Sequence, residues 1–583
     1  MNILGINAFH GDSSAAIVVN GKLTAAVEEE RFRRIKHWAG FPSEAIKYCL
    51  EFNNLTLLDI DCVAINQDSK ANLWKKTAYT FAKRPDLGFI IDKIKNRRER
   101  EGVDSQLEAC FPGQQFSGKV VPVEHHIAHL SSTFHVSPFD EAVLVSIDGF
   151  GDFASGAWGI GKGTEITVDK RIYFPHSMGS FYQALTQYLG FNNYGDEYKV
   201  MGLAPYGKPK YLDQMREIVT LCDDGGYKLN LKYFKHHIEN VVQEWSGGSP
   251  VFGQLYSDNL ESLLGDKRQS GEELNQKHFD IAHSIQAMYE ETFFHLLSKL
   301  HDKYQVNNLA LSGGCAMNSV ANGKVYRNSS FKKVYIQSAA GDAGGAIGAA
   351  YSAWYSENLE AKREFIMDHA YYGPSYTNQY VEKLVEDNAE KLDQEGCASE
   401  IVLDEDELFT KTAKAIADGK VIGWFQGRLE WGPRALGNRS ILCDPRRSDM
   451  KDILNLKIKR RESFRPFAPS ILRDKVVDWF EEDDDVPFMM KVFQIKEDKR
   501  SIIPAVTHVD GSGRLQTVFE NTNSRYYRLI SEFEKLTNVP ILLNTSFNEN
   551  EPVVCKPDEA LACFLRTKMD VLVMENYIIT RKD

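Results

Sequence analysis

Apolar and polar residues follow one another along this chain in blocks whose order carries information. The first block, "NILGINAFHGDSSAAIVVNGKLTAAVEEE", is an apolar run, a Gly/Ser/Asp loop, a second apolar run, an Asn20-Gly21 turn of the type I′ kind and a third run. That pattern predicts a three-strand meander. Near residue 140 the plan recurs in different words: "EAVLVSIDGFGDFASGAWGIGKG" is again strand, Gly/Asp loop, strand and turn, a repeat of architecture rather than of sequence. Residues 279–304 place apolar side chains at helical spacing. In "NLALSGGCAMNSVANGKVY" an apolar strand breaks at Ser312-Gly313-Gly314 and runs into a helix. In "IQSAAGDAGGAIGAAYSAW" strand-like residues lead through a loop to an Ala/Gly-rich helix beginning near Asp342. Strand clusters alternating with helices predict an α/β core.

After the charged stretch "SENLEAKREF" the texture changes. Arginine-bearing words follow, "GRLEWGPRALGNRS" and "RRESFRPFAPS", then a helix and strand pattern ending in "VPILLNTSFNENEPVV". A domain boundary is expected between about 355 and 370, giving domains 1–360 and 361–583, since a chain of 583 residues exceeds a single core.

Composition narrows the class. Hydrophobic residues at 43% and charged residues at 26% exclude a disordered or fibrous chain. No apolar run approaches the roughly 18 residues of a membrane span, and "MNILGINAF" enters a strand without a basic leader, so a cytoplasmic location is expected. Nine cysteines, an odd number without a CxxC pair, suit reduced buried thiols. A net charge of -12 works against a nucleic-acid footprint, which needs a basic face.

Candidate chemistry begins with "EHHIAHL". On a helix His125 and His129, four apart, share a face and can close on one metal ion, while His126 lies off that face. By themselves the pair are equally consistent with packing. The loops "HGDSS" (His10 to Ser14) and "DGFGD" (Asp148 to Asp152) put small residues and a carboxylate at strand ends, a combination suited to phosphate and a cation. Each alone is also an ordinary hairpin turn. Two meanders followed by a strand-to-helix "SGG" turn resemble the actin-like ATPase fold of sugar kinases and seventy-kilodalton chaperones.

Further words sharpen the likeness. "EEERFRRIKHWAGFP", "GDEYKVMGLAPYGKP", "WGPRALGNRSI", "FRPFAPSIL", "DGSGRLQTV" and "LLNTSFNENEP", in order from residue 2 to about 575, resemble the carbamoyltransferases of nodulation-factor, cephamycin, novobiocin and tobramycin biosynthesis. The resemblance implies an actin-like N-terminal domain similar to the transferase that places threonylcarbamoyl on tRNA. It also implies a C-terminal α/β domain similar to threonylcarbamoyl-adenylate synthase, with its double-stranded-RNA-binding-like fold. Carbamoyl phosphate and ATP, with magnesium, would give carbamoyl-adenylate in the second domain, and the carbamoyl group would pass to an acceptor hydroxyl, or less readily an amine, in the first.

By the same resemblance the metal ligands are His125, His129, Asp148 and Asp342. Such a donor set favours iron(II) and leaves zinc or manganese open. His10 or Asp12 stands nearest the acceptor as general base, and here "HGDSS" departs by one inserted residue from the "HDS" or "HDA" common in the family. Lys36 would neutralise phosphate charge, with His37 and Lys199 as weaker candidates. Gly149, Gly151, Asp152, Gly313, Gly314 and Asn318 would contact the nucleotide. Arg434, Arg465 and Arg514, on three separated segments, would bind carbamoyl phosphate or ATP through bidentate guanidinium contacts, joined by Ser546 and Asn548 and backed by Arg428, Arg439 and Arg460. Cys315 reads as packing.

The implied partner is a small-molecule acceptor, with neither nucleic acid nor membrane expected and a homodimer left open. The acidic balance favours a cationic acceptor such as an aminoglycoside or a saxitoxin-like guanidinium compound. The rival readings are a tRNA threonylcarbamoyl-modifying enzyme and a non-catalytic nucleotide-binding protein with an actin-like core.

Overall fold

The structure, a computed structural model, describes residues 1–83, 102–239, 241–244, 247–459, 462 and 464–582. The chain divides into two compact units, Met1–Met367 and Asp368–Asp583.

In the first unit, β1 (Asn2–Asn7), β2 (Ser14–Val19), β3 (Lys22–Glu28), β4 (Cys62–Ile65) and β5 (Lys119–Pro122) form a sheet of order β3-β2-β1-β4-β5. The β1, β2 and β3 strands are an antiparallel meander, and β4 and β5 add in parallel. Asn20 (φ 48°) and Gly21 (φ 82°) both take the left-handed conformation that a type I′ turn demands. Next comes helix α1 (His125–Phe134), then β6 (Glu141–Gly151), β7 (Ala154–Lys162) and β8 (Glu165–Tyr173). A 29-residue helix, α2 (Gln276–Tyr304), leads to β9 (Asn308–Ser312) and β10 (Lys333–Tyr335). Their sheet has order β8-β7-β6-β9-β10, with β9 and β10 parallel to β6. The two sheets therefore share one topology, a meander extended by two parallel strands. This is the doubled arrangement of an actin-like α/β fold.

Helix α3 (Gly345–Glu357) is preceded by a single 3-10 turn, Asp342–Gly344, so the regular helix starts three residues later than the sequence pattern suggests. It is buried nearly all round because it packs on β1, β2 and β4 on one side and on α1 on the other, while α1 packs on β6 and β9. The Ala/Gly richness follows from that crowding: a Cβ on Gly348 would stand 1.8 Å from the Ala128 carbonyl oxygen, so only glycine lets the two helices approach. The "SGG" segment likewise makes a 3-10 turn (Gly314–Met317) before a short helix, Ser319–Gly323.

The second unit is a mixed sheet. In chain order its described strands are β11 (Cys397–Ile401), β12 (Ile422–Phe425), β13 (Arg439–Cys443), β14 (Ala468–Leu472), β15 (Lys491–Gln494), β16 (Ser512–Val518), β17 (Ile541–Ser546), β18 (Val571–Met574) and β19 (Tyr577–Arg581). They assemble as β11-β19-β18-β12-β13-β17-β14-β16-β15. Strands β12, β13 and β14 are buried on both faces, and β13 and β14 carry buried polar residues, Arg439, Ser440 and Ser470, among their apolar ones. Helices Glu405–Ala417 and Ser524–Thr537 pack against each other beside the sheet. Among the described residues no helix is long and apolar enough to cross a membrane.

Candidate functional site

The amino-terminal ends of α1 and α3 bring four expected ligands together. His125 and His129 lie one turn apart on α1, Asp148 on β6 and Asp342 on the turn before α3, and one donor atom from each falls within 4.8 Å of all the others. His125 Nε2 and His129 Nε2 are 3.0 Å apart and lie 2.9 and 3.1 Å from Asp148 Oδ2. Asp342 Oδ1 is 3.7 and 3.4 Å from the same nitrogens.

Electrostatics show what this cluster favours. Burial works against charge on His129, but hydrogen bonds to Asp148 and Asp342 outweigh it and raise the imidazole pKa to about 10. His125 is raised in the same way, against burial and the neighbouring His129, by Asp148 and Asp342. Burial opposes ionisation of Asp148 too, yet the two imidazoles hold its carboxyl well below the usual range. Asp342, buried and facing the Asp148 charge, is raised. Two close carboxylates thus demand positive charge, which is why both imidazoles are shifted upward. A divalent cation answers the same demand with the imidazoles neutral, and two nitrogens and two oxygens are a donor set such ions accept. The residues fit a metal.

Backbone features hold the ligands in place. Asp152, a left-handed residue (φ 48°), accepts from the amides of His125 (2.9 Å) and Asp68 (2.8 Å) and so caps the start of α1, while Glu124 accepts from Ile127. Such a cap is worth about 1 kcal/mol. A Cβ on Gly151 would stand 2.1 Å from the His125 ring. The Gly314 amide donates to Asp148 Oδ1 at 2.8 Å, and Gly313 (φ 85°) lies so close to Ile147 that a Cβ would meet its carbonyl oxygen at 2.3 Å. Gly151, Asp152, Gly313 and Gly314, read from sequence as nucleotide contacts, are therefore placed here as supports of the ligand cluster. Gly149 adjoins open space. Asn318 caps the helix Ser319–Gly323 through Ala321 and pairs with Gln286 in both directions.

The loop between β1 and β2 runs beside the cluster. His10 is buried, with its ring centroid 5.7 Å from that of His125. Gly11 abuts Tyr194, and Asp12 Oδ1 meets His37 Nδ1 at 2.8 Å. Phe9, Asp12 and His37 are all left-handed non-glycine residues, a concentration of backbone strain that accompanies functional loops. His37 is also held by Glu30, which accepts from its amide at 2.8 Å. Burial disfavours the imidazolium, but Asp12 outweighs it and lifts the His37 pKa to about 9. Burial pushes nearby Glu197 up to about 7. Asp12, Glu30 and His37 form a second, half-exposed group of potential ligands. Lys36 is exposed on the turn before His37, and Lys199 is buried against Asp196 at 2.7 Å and Phe191. His126 hydrogen-bonds Ser146 and, by burial and the adjacent His125, falls to about 3, a neutral packing histidine.

In the second unit the loop from Glu430 to Arg439 wraps around one buried carboxylate. Glu430 Oε1 accepts from the amides of Leu436 (2.8 Å), Asn438 (2.8 Å) and Arg439 (3.1 Å). From below, Asn544 donates to the Ala435 carbonyl at 3.1 Å and Gln516 to that of Leu436 at 2.8 Å. This scaffold presents Arg434. Arg514 leaves β16 on the face it shares with Gln516, two residues on. Arg465 pairs with Glu462 at 2.5 Å just before β14.

Ser546 and Asn548, expected to donate to an anion, are turned toward each other and toward the buried Lys459, whose ammonium reaches the Ser546 carbonyl at 2.6 Å and Asn548 Oδ1 at 2.8 Å. Arg439 is fully buried, donates to the carbonyls of Gln426, Asn438, Pro374 and Gly427, and stacks on Phe425. Arg428 likewise donates to the carbonyls of Tyr372 and Gly373. Both read as structural guanidinium groups. Arg460 lies outside the described residues.

Residues 2–351 match the family described as Carbamoyltransferase N-terminus, and residues 413–581 match Carbamoyltransferase C-terminus. The chain belongs to the carbamoyltransferase family. Nodulation protein NolNO of Sinorhizobium fredii is 37% identical over 99% of this chain and 80% of its own length. An uncharacterized Synechocystis protein, sll1178, is 40% identical over 100% of this chain and 97% of its own. Among solved structures, T. kodakarensis HypF aligns over 61% of this chain and 48% of that one, at 14% identity and a TM-score of 0.31. As a carbamoyltransferase the chain is an enzyme. Sequence reasoning missed Glu430, Lys459 and the reason for Gly151, because their roles depend on residues distant in the chain.

Proposed function

We propose that this carbamoyltransferase works in two stages, one in each unit. In the second, carbamoyl phosphate, ATP and water yield carbamoyl-adenylate, phosphate and pyrophosphate. In the first, an acceptor hydroxyl attacks the carbamoyl carbon, the bond to the AMP phosphate oxygen breaks, and the acceptor proton passes to a base. The observation that carries this reading is the convergence of His125, His129, Asp148 and Asp342 at the ends of the two central helices.

His125, His129, Asp148 and Asp342 would hold the metal, iron(II) being favoured by the donor set, and when bound it supplies Lewis-acid polarisation of an oxygen. Asp148 fixes both imidazoles by hydrogen bonds from Nε2, and Gly314 fixes Asp148. His10 or Asp12 receives the acceptor proton. Asp12 Oδ1 meets His37 Nδ1 at 2.8 Å, and His37, its pKa lifted to about 9, carries positive charge at neutral pH and offers a counter-charge to the leaving phosphate. Arg434, Arg465 and Arg514 would bind the anionic substrates of the first stage. The partner is a small-molecule acceptor, and the acidic chain favours a cationic one.

The test mixes purified protein with ATP, carbamoyl phosphate, magnesium and iron(II), with a panel of hydroxylated acceptors, and follows pyrophosphate and phosphate release. Arg465→Ala is expected to stop pyrophosphate release, and His129→Ala to stop acceptor carbamoylation while pyrophosphate still appears. Absence of pyrophosphate with every acceptor defeats the reading.

A further inference from the structure

Asn66 follows β4 at its carboxyl end and is fully buried. Its amide N–H extends the sheet by donating to the Ile6 carbonyl at 3.2 Å, yet neither Nδ2 nor Oδ1 of the side chain has a hydrogen-bond partner. Buried carboxamides are paired almost without exception, so one with both halves unused calls for a ligand.

It lies beside segments that adjoin the candidate metal ligands. A Cβ on Gly345 would stand 2.2 Å from Asn66 Nδ2. Gly345 is the first residue of α3, three beyond Asp342, and glycine there is what admits the carboxamide. Two residues after Asn66, the Asp68 amide shares Asp152 Oδ2 with the amide of His125. Asn66 is thus set between the turn that carries Asp342 and the segment tied to His125. Ser338, on the approach to Asp342, is also fully buried with an unpartnered hydroxyl.

We propose that the Asn66 carboxamide recognises the carbamoyl unit at the transfer site. The H2N–C=O edge of a carbamoyl group presents a donor and an acceptor side by side. A carboxamide is its complement, Nδ2 donating to the carbamoyl oxygen and Oδ1 accepting from its NH2. An acyl group with methyl in place of NH2 would leave Oδ1 buried and unpaired, which is how such a site rejects an isostere. The proposal rests on the carbamoyl-adenylate reading above and adds a source of its specificity.

The experiment uses the full chain and two stable adenylate mimics, 5′-O-(N-carbamoylsulfamoyl)adenosine and its N-acetyl counterpart, and measures the iron(II)-dependent part of their binding by calorimetry. The native protein is expected to prefer the carbamoyl compound by about 10-fold or more. Asn66→Leu should bind both alike and melt, without metal, no lower than the native chain, because it removes an unpaired polar group. Asn66→Asp, which keeps the acceptor for the NH2 but loses the donor to the carbonyl oxygen, should bind both compounds more weakly and still prefer the carbamoyl one. Preference retained in Asn66→Leu, lost in Asn66→Asp while binding persists, or absent from the native protein, overturns the proposal. If the native protein binds neither compound and releases no pyrophosphate, the two-stage reading fails and takes this one with it; pyrophosphate release without the preference condemns the Asn66 assignment alone.

Discussion

The two sheets of the first unit share a topology but use their equivalent loops differently. At the end of β1, the Asn7 side chain donates to the carbonyls of Gly11 and Asp12 and so folds the loop onto itself. After the matching stretch of β6 stands Asp148, whose carboxylate faces outward to His125 and His129. After the fourth strand the contrast repeats: Asn66 keeps a buried carboxamide, whereas Gly313 and Gly314 have none and offer an amide to Asp148. At the matching positions one half presents carboxamides and the other a carboxylate and a backbone amide. The duplicated frame makes two places for polar groups, and the carboxylate in place of a carboxamide is what gives the second one a donor set suited to a cation.

The harshest way to break that contrast is Asp148→Asn, which gives the second loop the chemistry of the first. It should cost acceptor carbamoylation more than the roughly 10–100-fold typical of an outer-sphere metal partner, with iron content falling in parallel and pyrophosphate release persisting. A milder break is Gly151→Ala, whose Cβ meets the His125 ring at 2.1 Å. Overpacking of this kind costs about 1–3 kcal/mol, so metal affinity should drop while Gly149→Ala, which meets open space, binds metal as the native protein does.

The smallest effect lies in the first loop. His37 has its pKa raised in the fold from 6.5 to about 9 by Asp12, so its stabilising contribution is complete below about pH 6.5 and fades as pH rises through 9. The stability gap between native protein and His37→Gln, measured by denaturant titration, should narrow across that window. A gap independent of pH would mean the pair does not carry the charge assigned to it.

Much of the first unit was legible because its signals are local. Asn20-Gly21 announces a turn, the His125/His129 spacing announces a helix face, and the strand runs announce the meanders. Asp342 was reachable only through the family resemblance, since 194 positions separate it from Asp148. What the sequence did not disclose were jobs defined by distant neighbours. Gly313, Gly314 and Asn318 look like a nucleotide turn in isolation, and nothing in the sequence hints that Gly314 also donates to Asp148 or that Asn318 pairs with Gln286. Arg439 looks like one more anion-binding arginine until four carbonyls are found around it. Glu430 gives no signal, because a carboxylate that organises a loop from within has the same spelling as one that faces water.

The contact between Gly348 on α3 and the Ala128 carbonyl on α1 also bears on how the metal site tolerates change. Helices that touch backbone to backbone have no side-chain cushion to compress, so they serve as a mechanical datum from which His129 on one and Asp342 ahead of the other are both measured. Substitutions scattered through the outer layers of either sheet can be absorbed without moving that reference. Loops around the four candidate ligands are therefore free to diversify while the two helices keep their spacing through main chain alone.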